Sequence, residues 1–139
     1  AAERARNPQK VHAVDSGLRN AVCITASPDR GRLAETAVVA AMRRMANDGL
    51  YYWKAGREVD ILLRRGNTAR IAVQVCFDAS DTAVMEREVQ ALVEATNRFQ
   101  GIQPILVLGN AVDRKPAGLP RGTRVIPLWQ FLLDPIAKD

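Results

Sequence analysis

The sequence has little of the chemistry that metal centres and disulfide-stabilised folds use. It contains one histidine, His12, and two cysteines, Cys23 and Cys76. A histidine-rich metal cluster is therefore excluded, and we interpret His12 as structural. Two cysteines are too few for a disulfide framework or a zinc site, so we expect two buried, reduced thiols.

Long hydrophobic runs are also missing. No apolar stretch approaches the roughly 18 residues that a membrane-spanning helix needs. The first ten residues, AAERARNPQK, are charged and lack the apolar core of a signal peptide. We therefore expect a cytoplasmic protein. The abrupt polar start suggests a fragment of a longer chain, with a linker over residues 1–10 and one domain over residues 11–139.

Size and charge place the chain among ordinary soluble domains. It has 139 residues, of which 47% are hydrophobic and 25% charged, enough for a single shared core. Twenty lysines and arginines against 15 acidic residues leave a net charge of +5. This balance favours a polyanionic partner, but it fits a solvated basic surface equally well.

Apolar periodicity predicts an α/β order of helix, three strands, helix and two strands. A short strand, KVHAVD, and a short helix or turn, SGLRNAVCI, precede the first long helix, which starts at Ser27-Pro28-Asp29 and ends before Gly49. The later elements are strands at 50–54, 57–65 and 69–77, a helix N-capped by Ser80 or Asp81, a buried strand QPILVLG, an edge strand RVIPL and a terminal helical turn WQFLLD.

Polar residues interrupt these apolar patterns at five positions. Glu35 falls on the apolar arc of the first long helix, where an unpaired carboxylate is costly. A hairpin turn at Gly66-Asn67 places Asp60 opposite Gln74 and Glu58 opposite Cys76. All four are then expected on one face of the sheet, and the other face is expected to carry Val59, Ile61, Leu63, Ile71, Val73 and Val75.

Five segments in this order carry a resemblance to a known family: NPQKVHAVDSGLRNAV, GRLAETAVVAAMRR, YYWKAGREVDILL, QVCFDASDTAVMEREVQAL and VIPLWQFLL. They resemble the C-terminal domain that follows the ATPase module in prokaryotic AAA-type ATPases. The pattern also resembles the restriction-endonuclease-like core of the PD-(D/E)xK superfamily. The resemblance implies three layers, with a central mixed β-sheet between helices. ATP would bind only in the ATPase module, because no Walker motif occurs here.

The superfamily resemblance also implies a site. Glu35 and Asp60 match two metal-binding acids, Gln74 replaces the third acid, and Cys76 replaces the lysine. Glutamine brings no charge and cysteine cannot replace an ammonium, so we expect weak Mg²⁺ binding and a degenerate catalytic site. Lys54 is the nearest substitute lysine. The acids also have a structural interpretation, in which they pair with Arg57, Arg64 and Arg70 or with backbone amides.

The expected function is a catalytically impaired DNA-interaction module attached to its own N-terminal ATPase. The alternatives are an active Mg²⁺-dependent DNA nuclease and a protein-interaction or regulatory module of the ATPase. Tyr51, Tyr52 and Trp53 could stack on bases, although such a run in a central strand is more often core. The residues expected to bind nucleic acid are Arg64, Arg65, Arg70 and Lys54. Oligomeric state and DNA preference stay open.

Overall fold

The computed structural model of the protein describes residues 10–22, 29–45, 49–110 and 114–135. Within these ranges the chain forms four helices and five strands. In chain order they are α1 (Ser16–Val22), α2 (Arg30–Met45), β1 (Gly49–Lys54), β2 (Glu58–Arg65), β3 (Thr68–Cys76), α3 (Thr82–Arg98), β4 (Gln103–Leu108), β5 (Arg124–Pro127) and α4 (Leu128–Leu133). The predicted α/β class and the main element order are confirmed.

The five strands form one mixed sheet in the order β1-β2-β3-β4-β5. β1, β2 and β3 are antiparallel neighbours, whereas β4 runs parallel to both β3 and β5. A parallel pair needs a crossover, and α3 supplies it between β3 and β4. Asp81 caps α3 by accepting hydrogen bonds from the backbone N–H groups of Ala83 and Val84. The capping residue is thus the second of the two predicted.

Each face of the sheet has its own apolar core. α3 covers one face with Ala91, Leu92 and Ala95. α2 and α4 cover the other, chiefly through Val38, Met42 and Phe131. β4 is buried almost throughout, as its apolar sequence predicted, because it lies in the sheet interior between these layers. β5 is an edge strand, which confirms the prediction for RVIPL.

The β2–β3 hairpin has the predicted pairing away from its turn. Ile61 lies opposite Val73 and Leu63 lies opposite Ile71. Gly66 supports the tight turn with a φ of 58°, a left-handed conformation that glycine adopts without strain. The pairing shifts by one residue after Leu63, close to the turn.

A bulge between β1 and β2 overturns the predicted assignment of faces. Tyr51 pairs with Leu62 and Trp53 pairs with Val59, so Tyr52 alone opposes both Asp60 and Ile61. The extra residue in β2 interrupts the alternation of side chains. Val59 therefore packs in the α3-side core while Ile61 packs in the α2-side core, although both were expected on one face.

The predicted first strand is wrong, because residues 10–15 form no strand. Burial along this segment does not alternate: Lys10 and His12 are partly buried, whereas Val11 and Val14 are exposed. β1 is also an edge strand and not a central one. The helix after residue 15 is confirmed as α1, and Cys23 lies outside the described residues. None of the described helices is long and apolar enough to cross a bilayer.

Candidate functional site

Three carboxylates converge on one ammonium group at the α2 side of the sheet. Lys10 Nζ lies 2.5 Å from Glu35 Oε1, 2.7 Å from Glu58 Oε1 and 3.0 Å from Asp60 Oδ1. α2 positions Glu35, and β2 positions the other two acids. We call these four residues the Lys10 cluster. Its three carboxylates, when ionised, outweigh its ammonium by two negative charges.

Asp60 is held by the neighbouring strand as well as by Lys10. Its Oδ2 accepts a hydrogen bond from the Val75 backbone N–H at 3.0 Å, and its own backbone N–H donates to Gln74 Oε1 at 3.2 Å. These side-chain bonds satisfy backbone groups at the end of the β2–β3 ladder. Asp60 and Gln74 thus have a structural role inside two apolar strands.

Burial and charge act in opposite directions on the ionisation of this cluster. Burial raises the pKa of Asp60 to about 6, against the lowering effect of Lys10, and Glu35 adds to the rise. Burial lowers the pKa of Lys10, but attraction to Asp60 and hydrogen bonds to the three acids outweigh it and hold that pKa above its ordinary value. Lys10 therefore stays charged at neutral pH.

A second polar cluster lies on the α3 side. Gln74 Nε2 donates to Glu88 Oε2 on α3 and, at 3.4 Å, to the Glu58 backbone carbonyl. Arg87 donates to Glu88 Oε1 from Nη2 at 2.6 Å and from Nε at 3.1 Å. Glu88 is only 6% exposed. We call Gln74, Arg87 and Glu88 the Glu88 cluster; its one guanidinium balances its one carboxylate.

Cys76 lies beside the Glu88 cluster as a buried, free thiol. Its Sγ donates to the Asp78 backbone carbonyl at 3.3 Å. Burial, and after it the negative charge of Glu88, raise the pKa of this thiol to about 11. Cys76 is therefore neutral at physiological pH and supplies neither a cation nor a thiolate.

A cleft opens along β1 next to the Lys10 cluster, with a cavity volume of about 510 Å³. Its lining combines basic and aromatic side chains with a single carboxylate. The polar and aromatic lining residues are Lys10, His12, Arg43, Tyr51, Tyr52, Trp53, Lys54 and Asp60. We call this feature the Tyr51 cleft. Lys10 and Asp60 form its boundary with the Lys10 cluster.

The comparison with protein families gives one match. The model described as "Domain of unknown function (DUF4143)" matches residues 30–131, which is well over half of the chain. The chain belongs to the DUF4143 family. DUF4143 is a C-terminal domain of AAA-type ATPases, so this part of the resemblance is confirmed. No curated protein and no solved structure matches the chain.

The structure of this DUF4143 domain brings the predicted acids together only in part. Glu35 and Asp60 meet through Lys10, and Gln74 touches Asp60 through the backbone. The side chain of Gln74 extends instead to Glu88, on the α3 side with Cys76. The expectation that Glu58, Asp60, Gln74 and Cys76 share one face is therefore wrong, because the β2 bulge separates them into two clusters.

The four predicted nucleic-acid-binding residues occupy different places. Lys54 lines the Tyr51 cleft. Arg64 lies beside it, with its guanidinium carbon 5.0 Å from the Tyr51 ring centre and hydrogen bonds to Gly66 and Asn67. Arg65 and Arg70 are exposed on the hairpin and do not line the cleft. Their role in binding stays a prediction.

Two residues that build the site, Lys10 and Glu88, are not among those predicted from the sequence. The sequence places Lys10 in the predicted linker and makes arginines the expected partners of the acids. Arg57 instead contacts Glu94. Lys10 could not be identified because its partners lie 25 and 50 residues away. Glu88 was identifiable, since it sits on the apolar arc of α3 between Val84 and Leu92, the same signal that singled out Glu35.

The residues present do not fit the Mg²⁺ ion that a restriction-endonuclease-like site would hold. Lys10 already contacts the three carboxylates of its cluster. Gln74 brings no charge, and its oxygen already accepts a hydrogen bond from the Asp60 backbone. In the described ranges, no three His, Cys, Asp or Glu side chains are arranged to hold a metal ion. The arrangement is that of an ion-pair network.

Proposed function

We propose that this chain is the nuclease-like C-terminal module of an AAA-type ATPase, and that it binds DNA without cleaving it. The observation that carries the proposal is the contact of Lys10 with Glu35, Glu58 and Asp60. A side-chain ammonium there takes the place that a nuclease gives to a divalent cation. The three-layer restriction-endonuclease-like core is part of the proposal, supported by the order β1-β2-β3-α3-β4 and by helices on both faces.

The chemistry of the remaining positions supports the loss of cleavage. Hydrolysis of a phosphodiester by such a site needs a metal-activated water and positive charge close to the transition state. Gln74 contributes no charge, and the Cys76 thiol is neutral and turned toward the Asp78 carbonyl. Loss of one such stabilising contact typically lowers a rate by about 10²–10³.

Surface charge supports DNA as the partner. The net charge is +5, and exposed basic residues lie at the end of α2, on β1 and on the hairpin. The sequence carries no helix-turn-helix or zinc-finger pattern, so we expect binding through phosphates. Such binding has a Kd on the order of 10⁻⁴–10⁻⁶ M at physiological salt and weakens steeply as salt rises.

Two measurements test the proposal. Incubation of the chain with supercoiled and linear DNA in Mg²⁺ or Mn²⁺ should give no metal-dependent cleavage. Fluorescence anisotropy with labelled DNA should give binding that weakens from low to physiological salt. Cleavage abolished by Asp60→Ala would refute the first half, and absence of binding at low salt would refute the second. In the latter case the domain is the protein-interaction or regulatory module of the ATPase.

An active nuclease is the second candidate, and one observation favours it. Lys10 places an ammonium beside Asp60, where the lysine of the superfamily motif would act. If Lys10 has that role, the wild-type chain cleaves DNA and Lys10→Met does not. If Lys10 is a permanent counter-ion, neither protein cleaves. The matched control is Lys115→Met, since Lys115 is an exposed lysine that does not line the cleft.

A further inference from the structure

The segment of residues 10–22 buries polar side chains and exposes its larger apolar ones. Lys10 contacts the three acids of its cluster, and His12 is partly buried beside the same cluster. Val11 and Val14, in contrast, are almost fully exposed. This arrangement is the reverse of the one that burial of apolar surface favours. Polar contacts therefore hold the segment to the domain, while its apolar side chains face outward.

Helix α1 extends the same exposed apolar side. Asp15 accepts hydrogen bonds from the backbone N–H groups of Gly17 and Leu18 at 2.7 and 3.1 Å, which fixes where the helix begins. Leu18 and Val22 are four residues apart and therefore lie on one face of α1. Both are exposed, although α1 lies against α2. We call the exposed large apolar residues of this segment the Leu18 stripe: Val11, Val14, Leu18 and Val22.

The Leu18 stripe contains most of the exposed large apolar side chains of the described chain. The others are Tyr51, Trp129 and Leu133. Single exposed apolar residues are normal on a protein surface, whereas several in one short segment mark an interaction site. A helix of seven residues is also too short to be stable by itself, so α1 depends on packing. A partner that covers the stripe would supply that packing.

Family membership indicates which partner lies on this side of the domain. DUF4143 is a C-terminal domain of AAA-type ATPases, so the rest of such a protein precedes it in the chain. The stripe comes before the matched residues, 30–131, and is therefore the described surface closest in sequence to that preceding part. A short covalent link gives two surfaces a high effective concentration for each other. A separate protein has no such advantage.

We propose that the Leu18 stripe is an internal interface, on which the preceding part of the parent ATPase chain docks through an apolar surface of its own. Lys10 and His12 hold the segment against α2 and β2 from one side, and the docked part covers it from the other. The interface fixes how this domain is oriented relative to the rest of the ATPase. It does not depend on DNA binding, since it follows from the exposure of the segment and from the family.

The first test compares two matched pairs of exposed apolar residues. Leu18 and Val22 on α1 are 62% and 78% exposed, while Trp129 and Leu133, also four residues apart, on α4, are 62% and 79% exposed. In the full-length ATPase, Leu18→Gln with Val22→Gln should speed amide hydrogen exchange over residues 16–22 by about tenfold, because the helix is no longer docked. Trp129→Gln with Leu133→Gln should leave that exchange unchanged.

The same α1 pair in the 139-residue chain alone separates docking from an effect on the helix itself. Both side chains are already exposed there, so the substitutions should change the exchange of α1 by less than about twofold. Circular dichroism establishes that each variant is folded. An equal increase of exchange in the short chain and in the full-length ATPase would overturn the interface, because the substitutions would then act on α1 and not on a contact.

The second test identifies what covers the stripe. A photoreactive benzoylphenylalanine replaces Leu18 in the full-length ATPase, and mass spectrometry locates its crosslinks in a mixture of isotopically light and heavy protein. Crosslinks to peptides that precede the domain support the docking. Crosslinks to the DUF4143 domain of another copy would make the stripe a contact between copies and overturn it. Absence of protein crosslinks, with wild-type exchange as fast as in the short chain, would also overturn it.

Discussion

The two polar clusters meet at Gln74 and border one cavity of about 400 Å³, but they differ in charge balance. In the Lys10 cluster one ammonium faces three carboxylates, and its members lie at the border of an open cleft. In the Glu88 cluster one guanidinium and one neutral amide surround a single buried carboxylate. The first has an excess of negative charge, while the second is balanced.

This difference shows where the domain depends on a cation. A buried carboxylate with hydrogen-bond donors is tolerated, but several carboxylates around one centre need positive charge to stay together. Lys10 supplies that positive charge in the first cluster. The second cluster holds a single carboxylate, Glu88, because position 74 carries a neutral amide, and one exposed guanidinium suffices for it. The contrast predicts unequal effects of substitution in the two clusters.

Removal of the Lys10 charge should have the largest effect. Lys10→Met leaves Glu35, Glu58 and Asp60 without their shared counter-ion. We expect a loss of about 3–4 kcal/mol in the free energy of unfolding at pH 7, near the lower end for breaking a buried pair because Lys10 keeps 27% of its side chain exposed. Urea unfolding of the wild type and Lys10→Met measures this loss. A loss below about 1 kcal/mol would show that the three acids do not depend on Lys10.

The pH dependence of stability should sharpen the comparison. Burial raises the pKa of Asp60 to about 6 in the folded chain, above its ordinary value of 3.8. Between these values the folded state binds more protons than the unfolded state, so stability falls as pH rises. Relative to Asp60→Asn, the wild type should lose about 2–3 kcal/mol from pH 4 to pH 7. A constant difference between the two proteins across this range would contradict the raised pKa.

A carboxylate at position 74 should disturb the balanced cluster. Gln74→Glu places two carboxylates together and removes the amide that donates to Glu88. We expect a cost of about 2 kcal/mol at pH 7, as for other hydrogen bonds to charged groups. The exchanged pair Gln74→Glu with Glu88→Gln should recover most of that cost in a double-mutant cycle. If the double variant does not recover this unfolding free energy, the Gln74–Glu88 hydrogen bond is not the reason that position 74 requires an amide.

Local signals were sufficient to predict most of the fold. Asp81 marked the start of α3, Gly66 marked the hairpin turn, and the apolar run of β4 marked a buried strand. The hairpin turn also gave the pairing of Ile61 with Val73. These features depend on residues close in sequence, so the pattern contains the information needed.

The candidate site was only half predictable, for two physical reasons. The bulge opposite Tyr52 comes from the pairing of β1 with β2, and alternation within β2 alone gives no sign of it. The counter-ion of Glu35 and Asp60 comes from Lys10, in a segment without regular structure. A buried acid predicts that a partner exists, but it does not say which of 20 basic residues supplies it.

Removal of the cation from the balanced cluster should have the smallest effect. Arg87 contacts Glu88 at 2.6 Å, yet its side chain is 62% exposed, so water replaces much of what it donates. Glu88 also keeps the hydrogen bond from Gln74 after Arg87→Met. We therefore expect a loss of less than about 1 kcal/mol, against about 3–4 kcal/mol for Lys10→Met. Urea unfolding of both variants under the same conditions gives the ratio directly. Equal losses would mean that the two clusters do not differ in their need for a cation, because a single exposed guanidinium would then stabilise Glu88 as strongly as Lys10 stabilises three acids.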